Sequence, residues 1–126
     1  MFTQADLIYS YTRAQAIEDG LLIDVNGTAK EAGFKYPVAV TSGVWAEVIE
    51  PDGKAKSQGE SDTGRLWDVL WMLFVAIKRG QSNGSQTDYK LIATKDGHQH
   101  MVDLKAECHG GDDGEPVITI MLPDED

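Results

Sequence analysis

The sequence predicts an α+β fold: short N-terminal helices and one long buried helix packed on a small antiparallel β-meander of three strands, or slightly more. Three observations predict it. Cap and stop residues divide the first third into short helical pieces, a helix-length segment at 64–79 carries an apolar run from Leu66 to Ile77, and beyond residue 89 the apolar positions alternate. With 126 residues the chain is expected to form one α+β domain over 1–126.

The first helix starts at Thr12, which stands in capping-box spacing to Gln15, and stops at Gly20. Leu21 to Val25 reads as a brief extended run and Asn26-Gly27 as a turn. Thr28 then caps a helical turn from Ala29 to Ala32 that ends at Gly33. Val38 to Val40 suits a strand, while Val44, Trp45 and Val48 place a helix at about Ser42 to Glu50. Pro51 to Thr63 has the Gly, Pro and Ser content of an exposed loop.

Asp62 or Thr63 can cap the helix Gly64 to Arg79, whose run from Leu66 to Ile77 contains a single polar residue, Asp68. Its unbroken apolar stretch, Val69 to Ile77, is too short to cross a bilayer, which needs roughly 20 apolar residues, so it is read as a core helix. Tyr89, Leu91 and Ala93 form one face of a strand, Asp96-Gly97 a hairpin turn, and Val102, Leu104, Ala106 and Cys108 one face of the next. Val117 to Leu122 is apolar on nearly every side, which suits the middle of a covered sheet, and residues 123–126 form an acidic tail.

Twenty-one Asp and Glu against eleven Lys and Arg give a net charge of -10. Such a field repels phosphates, so direct binding to nucleic acid or to anionic membranes is disfavoured and a protein partner with a basic surface is expected. A single cysteine and the lack of a basic, apolar leader make cytoplasmic residence the expectation.

Few side chains are spaced for chemistry. His98 and His100 form an H-x-H pair on one face of a strand, a spacing at which two imidazoles can share a metal, with Cys108 and His109 as further donors. On an unbroken strand Cys108 stands roughly 26 Å from His100, so the ligands gather only if the strand is broken. Polar residues beside a turn are expected for solvation, and neither a metal nor another cofactor is assigned. Asp112, Asp113 and Glu115 among Gly110, Gly111 and Gly114 can present oxygens to a cation or to a basic partner, although a turn selects the same residues.

Arg65 and Asp68 are set for an ion pair; an acid role for Asp68 beside Trp67 and Trp71 lacks a second catalytic group. Trp45, Trp67 and Trp71 are read as core, with a pocket or an oligomer interface as the alternative. Tyr9, Tyr11 and Arg13 form an aromatic and cationic cluster suited to recognition or to docking the first helix. No catalytic motif such as G-x-S-x-G, H-E-x-x-H or a P-loop is present, so no catalytic residue is assigned.

Four segments, Tyr9 to Gly20, Tyr36 to Thr41, Gly64 to Met72 and Gly114 to Pro123, resemble those of an uncharacterised family of small bacterial proteins of unknown function, often encoded on plasmids, phages and integrated elements. The resemblance implies an accessory protein of a mobile element and transfers no site residue. Joined to the charge, it points to a non-enzymatic protein-binding module, monomeric or homodimeric, with Asp112, Asp113, Glu115, Tyr9, Tyr11 and Arg13 as partner contacts. A nucleic-acid-mimicking inhibitor of a host defence protein is a sharper form of this reading. The competing class is a small metal-binding protein or enzyme using His98, His100, Asp112, Asp113 and Glu115.

Overall fold

A computed structural model describes residues 12–50, 62–95 and 97–125. In chain order its elements are α1 (Arg13–Glu18), β1 (Leu22–Asp24), α2 (Asn26–Ala32), β2 (Val38–Thr41), α3 (Ser42–Val44) continuing into a π-helical turn (Trp45–Ile49), α4 (Asp62–Lys78), β3 (Ser82–Asn83), β4 (Gln86–Lys95), β5 (His98–Gly110) and β6 (Pro116–Met121).

The strands build one six-stranded sheet in the order β1-β2-β6-β5-β4-β3. This overturns the expected three-stranded antiparallel meander. β6 pairs antiparallel with β5 on one side and parallel with β2 on the other, Val38 opposite Ile118 and Val40 opposite Ile120. Alternation along a strand tells which residues share a face, but it carries no information about a neighbour that lies about eighty residues away in the chain. Val117 to Met121 is buried throughout, as a strand covered on both faces must be.

One face of the sheet meets α2, α4 and the π-helical turn. Val38, Val40, Ile118, Ile120, Leu104, Ala106, Tyr89 and Leu91 pack there with Leu66, Val69, Leu70 and Leu73 in one core. The other face takes α1, whose Arg13 reaches Thr119. The Thr12 capping box forms as expected: its hydroxyl accepts from Gln15 N–H at 3.0 Å and the Gln15 side chain accepts from Thr12 N–H at 3.1 Å.

The second helix begins earlier than expected. Asn26 and Gly27 lie inside α2 rather than in a turn, and its N-cap is Val25, with no side-chain bond, rather than Thr28. Asn26 Oδ1 instead accepts from Val38 N–H at 2.7 Å, tying the helix start to β2. The predicted Ser42 to Glu50 helix also changes character: Glu50 N–H donates to Trp45 O at 2.8 Å, an i→i−5 bond that widens the turn.

α4 covers most of the expected 64–79 span but starts at Asp62, so that neither Asp62 nor Thr63 is a cap outside it, ends at Lys78, and is not a buried helix. Its arc from Arg65 through Leu66, Val69, Leu70 and Leu73 to Ala76 is buried, whereas Trp67, Trp71, Met72 and Ile77 are exposed. Among the described residues the sheet, α2 and the π-helical turn cover one side of the helix and leave the other uncovered, although the sequence is apolar all round. Residues 62 and 63 of the expected exposed loop are in its first turn, where Asp62 Oδ1 accepts from Thr63 N–H; residues 51–61 lie outside the described residues.

Candidate functional site

The exposed arc of α4 carries an aromatic ladder. Trp67 and Trp71 are four residues apart and therefore stack along the axis, with centroids 6.1 Å apart and planes 7° apart. Trp71 continues onto Phe74 at 5.5 Å, Phe74 meets Phe34 of the α2–β2 connection edge-on at 5.8 Å, and the Lys78 ammonium lies 5.4 Å from the Phe74 centroid. The lower rungs are anchored in the core through Phe34, while Trp67 is 37% and Trp71 43% exposed. Gly33, at φ +108°, brings the chain close enough for that packing: a Cβ there would lie 3.0 Å from Phe74. Two of the three tryptophans read as core are thus on the surface; the third, Trp45, is half-buried against the core.

Asp112 and Arg13, both expected partner contacts, meet each other. Asp112 accepts from the N–H groups of Arg13 at 2.7 Å and Ala14 at 3.1 Å, capping α1 from a turn 98 residues away. The Arg13 guanidinium donates to Thr119 Oγ1 at 2.8 Å and Ile118 O at 2.9 Å. His109 Nε2 lies 2.8 Å from the same hydroxyl and its Nδ1 3.1 Å from Gly110 O. All these groups are satisfied when Thr119 donates to Nε2 and Nδ1–H donates to the carbonyl. Burial pulls the Arg13 guanidinium below its ordinary value, while Asp24, Asp112 and Glu115 push it upward. Glu115 Oε2 accepts from Asp113 N–H at 3.0 Å, closing the turn. Tyr9 and Tyr11 lie outside the described residues.

His98 and His100 are exposed near the other end of β5, which runs unbroken to Gly110. At about 3.3 Å per residue, roughly 40 Å of strand separates His98 from the Asp112 turn, so the imidazoles and those carboxylates do not converge. Among the described residues no three His, Cys, Asp or Glu side chains are placed to hold a metal ion. Arg65 is buried and donates to Val48 O at 3.1 Å and to Thr94 O, so its guanidinium also ties α4 to the π-helical turn and to β4.

Beside β5 a groove of about 400 Å³ opens between the hairpin, the π-helical turn and the chain after β6. Sequence reasoning did not mark it, because its wall combines residues near 47, 65, 100 and 122 that no local pattern joins. Phe74 was readable as the rung three residues beyond Trp71, whereas Thr119, one hydroxyl in an apolar strand, announces nothing about Arg13.

No helix among the described residues is long and apolar enough to cross a membrane. No curated protein and no solved structure matches the chain. The model of a family of unknown function, DUF6573, matches residues 1–126, and the chain belongs to that family.

Proposed function

We propose that the chain is a non-enzymatic protein-binding module that grips a partner with a basic surface. The observation that carries this reading is the stacked Trp67–Trp71 pair, exposed on α4 while the opposite arc of the same helix fills the core. Rigid aromatic side chains supply much contact area for little ordering entropy, and such residues dominate binding energy at protein interfaces. A net charge of -10, with Asp62 and Asp68 exposed on the same helix, favours a basic partner through long-range attraction. A mobile-element setting and a cytoplasmic location belong to the same proposal; the first rests on the resemblance of the four segments, the second on the single cysteine.

Nucleic-acid mimicry is the form supported less. On the open face of the β4–β5 hairpin Asp88 is opposite Lys105 and Lys90 opposite Asp103, with Lys90 Nζ 3.5 Å from Asp103. Lysines interrupt what would have to be a row of carboxylates spaced like phosphates.

The test is recovery of a partner from source-cell lysate on the immobilised chain, compared with a Trp67→Ala/Trp71→Ala double variant whose circular dichroism matches the parent. A protein held at low salt, released at high salt and reduced by about tenfold on the double variant is expected. Equal recovery on both chains, or none at either salt, rejects the reading.

A further inference from the structure

We propose that the open margin of β5 between Gln99 and Asp103 accepts an extended peptide segment bearing lysine or arginine, which adds to the sheet as a strand. This surface is separate from the α4 ladder, and the inference stands whether or not that ladder binds a partner.

The register identifies the margin. Cys108 N–H donates to Ser85 O, so the even-numbered backbone groups of β5 turn toward β4 and the odd-numbered ones turn the other way. Of the latter, Lys105, Glu107 and His109 face Met121, Thr119 and Val117 of β6. β6 stops there. Leu122 N–H is taken by Glu125 Oε1 at 2.8 Å, Pro123 has no N–H, and Glu125 also accepts from the Thr41 hydroxyl at 2.8 Å, so the chain bends away. The N–H and C=O groups of Met101 and Asp103 therefore point into the space a further strand of β6 would fill, and among the described residues no backbone group bonds to them on that side. Meanwhile β5 continues to His98, fully paired with β4 on its other side, so the margin is held rigid by the hairpin. Such a row of open donors and acceptors is a template for strand addition.

The groove runs along this margin and indicates which peptide fits. Val48 and Leu122 line it with apolar surface, while Glu47, Asp103 and Asp124 contribute carboxylates. Asp103 shares its charge with Lys90 across the hairpin, and Arg65, the one cation among the lining residues described, is buried with its guanidinium bonded to Val48 O and Thr94 O. The exposed charge offered to an incoming segment is therefore negative. Alternate side chains of an added strand would meet the apolar wall, and a lysine or arginine among the others would meet Glu47 or Asp124.

The probe is a fluorescein-labelled peptide, acetyl-Thr-Lys-Val-Lys-Val-Lys-Thr-amide, against its counterpart with glutamate at each lysine, measured by anisotropy on the full chain. Preference for the lysine peptide of about tenfold or more is expected. Met101→Pro removes an N–H that faces the open margin and not the β4 ladder, so the fold survives, checked by circular dichroism, while affinity falls by about tenfold. Met101→Thr retains the N–H and keeps binding. Glu47→Lys combined with Asp124→Lys, both at exposed positions, reverses the preference between the two peptides. The Trp67→Ala/Trp71→Ala variant binds the lysine peptide like the parent. Equal binding of both peptides, binding unaffected by Met101→Pro, or no binding at millimolar peptide overturns the proposal. A parent dimer that Met101→Pro converts to monomer in sedimentation also overturns it, since the margin is then a contact between copies of the chain.

Discussion

The Tyr89 hydroxyl, on β4, donates to the backbone carbonyl of Val69, on α4, across 3.0 Å. The ring fills core between helix and sheet, and its one polar atom is satisfied by a helix carbonyl, so this contact fixes where along the strand the helix sits.

Burial raises the Tyr89 hydroxyl well above the ordinary value of about 10. Above about pH 10 the unfolded chain loses this proton and the folded chain keeps it, so the folded state binds more protons and stability falls as pH rises. The stabilisation is complete below pH 10 and declines by about 1.4 kcal/mol per pH unit above it. Urea unfolding between pH 8 and pH 11 should reveal this slope, reduced in Tyr89→Phe. At neutral pH that variant should lose about 1 kcal/mol with the hydrogen bond. An identical alkaline slope in both chains contradicts the assignment.

The two arcs of α4 should respond differently to truncation. Leu73→Ala, at a fully buried position, is expected to cost about 2–5 kcal/mol. Trp71→Ala removes a larger side chain but one that is 43% exposed, and about 1 kcal/mol is expected, mostly from its stacking on Phe74. Thermal denaturation of both variants is the measurement, and a larger loss for Trp71→Ala would place that ring in the core.

Gly33 and Gly27, at opposite ends of the same short helix, make a matched comparison. Gly33→Ala imposes a left-handed conformation on alanine and sets its Cβ against Phe74, so a loss of about 1–3 kcal/mol is expected. Gly27→Ala has a helical backbone and nothing within 4 Å, so it should stabilise by about 0.4–1 kcal/mol. Denaturant midpoints decide, and equal shifts would contradict the geometry.

Asp112→Ala removes the remote cap of α1 and should cost about 1 kcal/mol. Arg13→Ala loses the bonds to Thr119 and Ile118 and should cost about 2 kcal/mol. Because both residues serve the same docked helix, the double variant should lose less than the sum of the two. Additive losses in chemical unfolding would show that cap and clamp act independently.

Much of this molecule can be read locally. The Thr12–Gln15 box, the existence of a helix over most of 64–79 and the alternation of Tyr89, Leu91 and Ala93 against Val102, Leu104 and Ala106 each depend on residues within a few positions or across a short hairpin, where backbone geometry and side-chain period leave little choice. The same reasoning fails for Asn26. Its side chain looks like half of a turn, yet it lies in a helix because Val38 N–H supplies a partner that only appears on folding.

The aromatic ladder is half legible. The spacing of Trp67, Trp71 and Phe74 puts three rings on one helical stripe, but an apolar stripe reads the same whether a sheet lies over it or water does. Which arc is covered depends on the way α4 lies on β4, and that is set by partners such as Tyr89 twenty residues along the chain. The parallel pairing of β2 with β6, the cap that Asp112 places on α1 and the open margin of β5 are of the same kind. Local propensities and short-range spacing choose the elements; the order of the strands, and hence which surfaces stay uncovered, follows from burying the largest apolar area at once, a condition on the whole chain that no window of it contains.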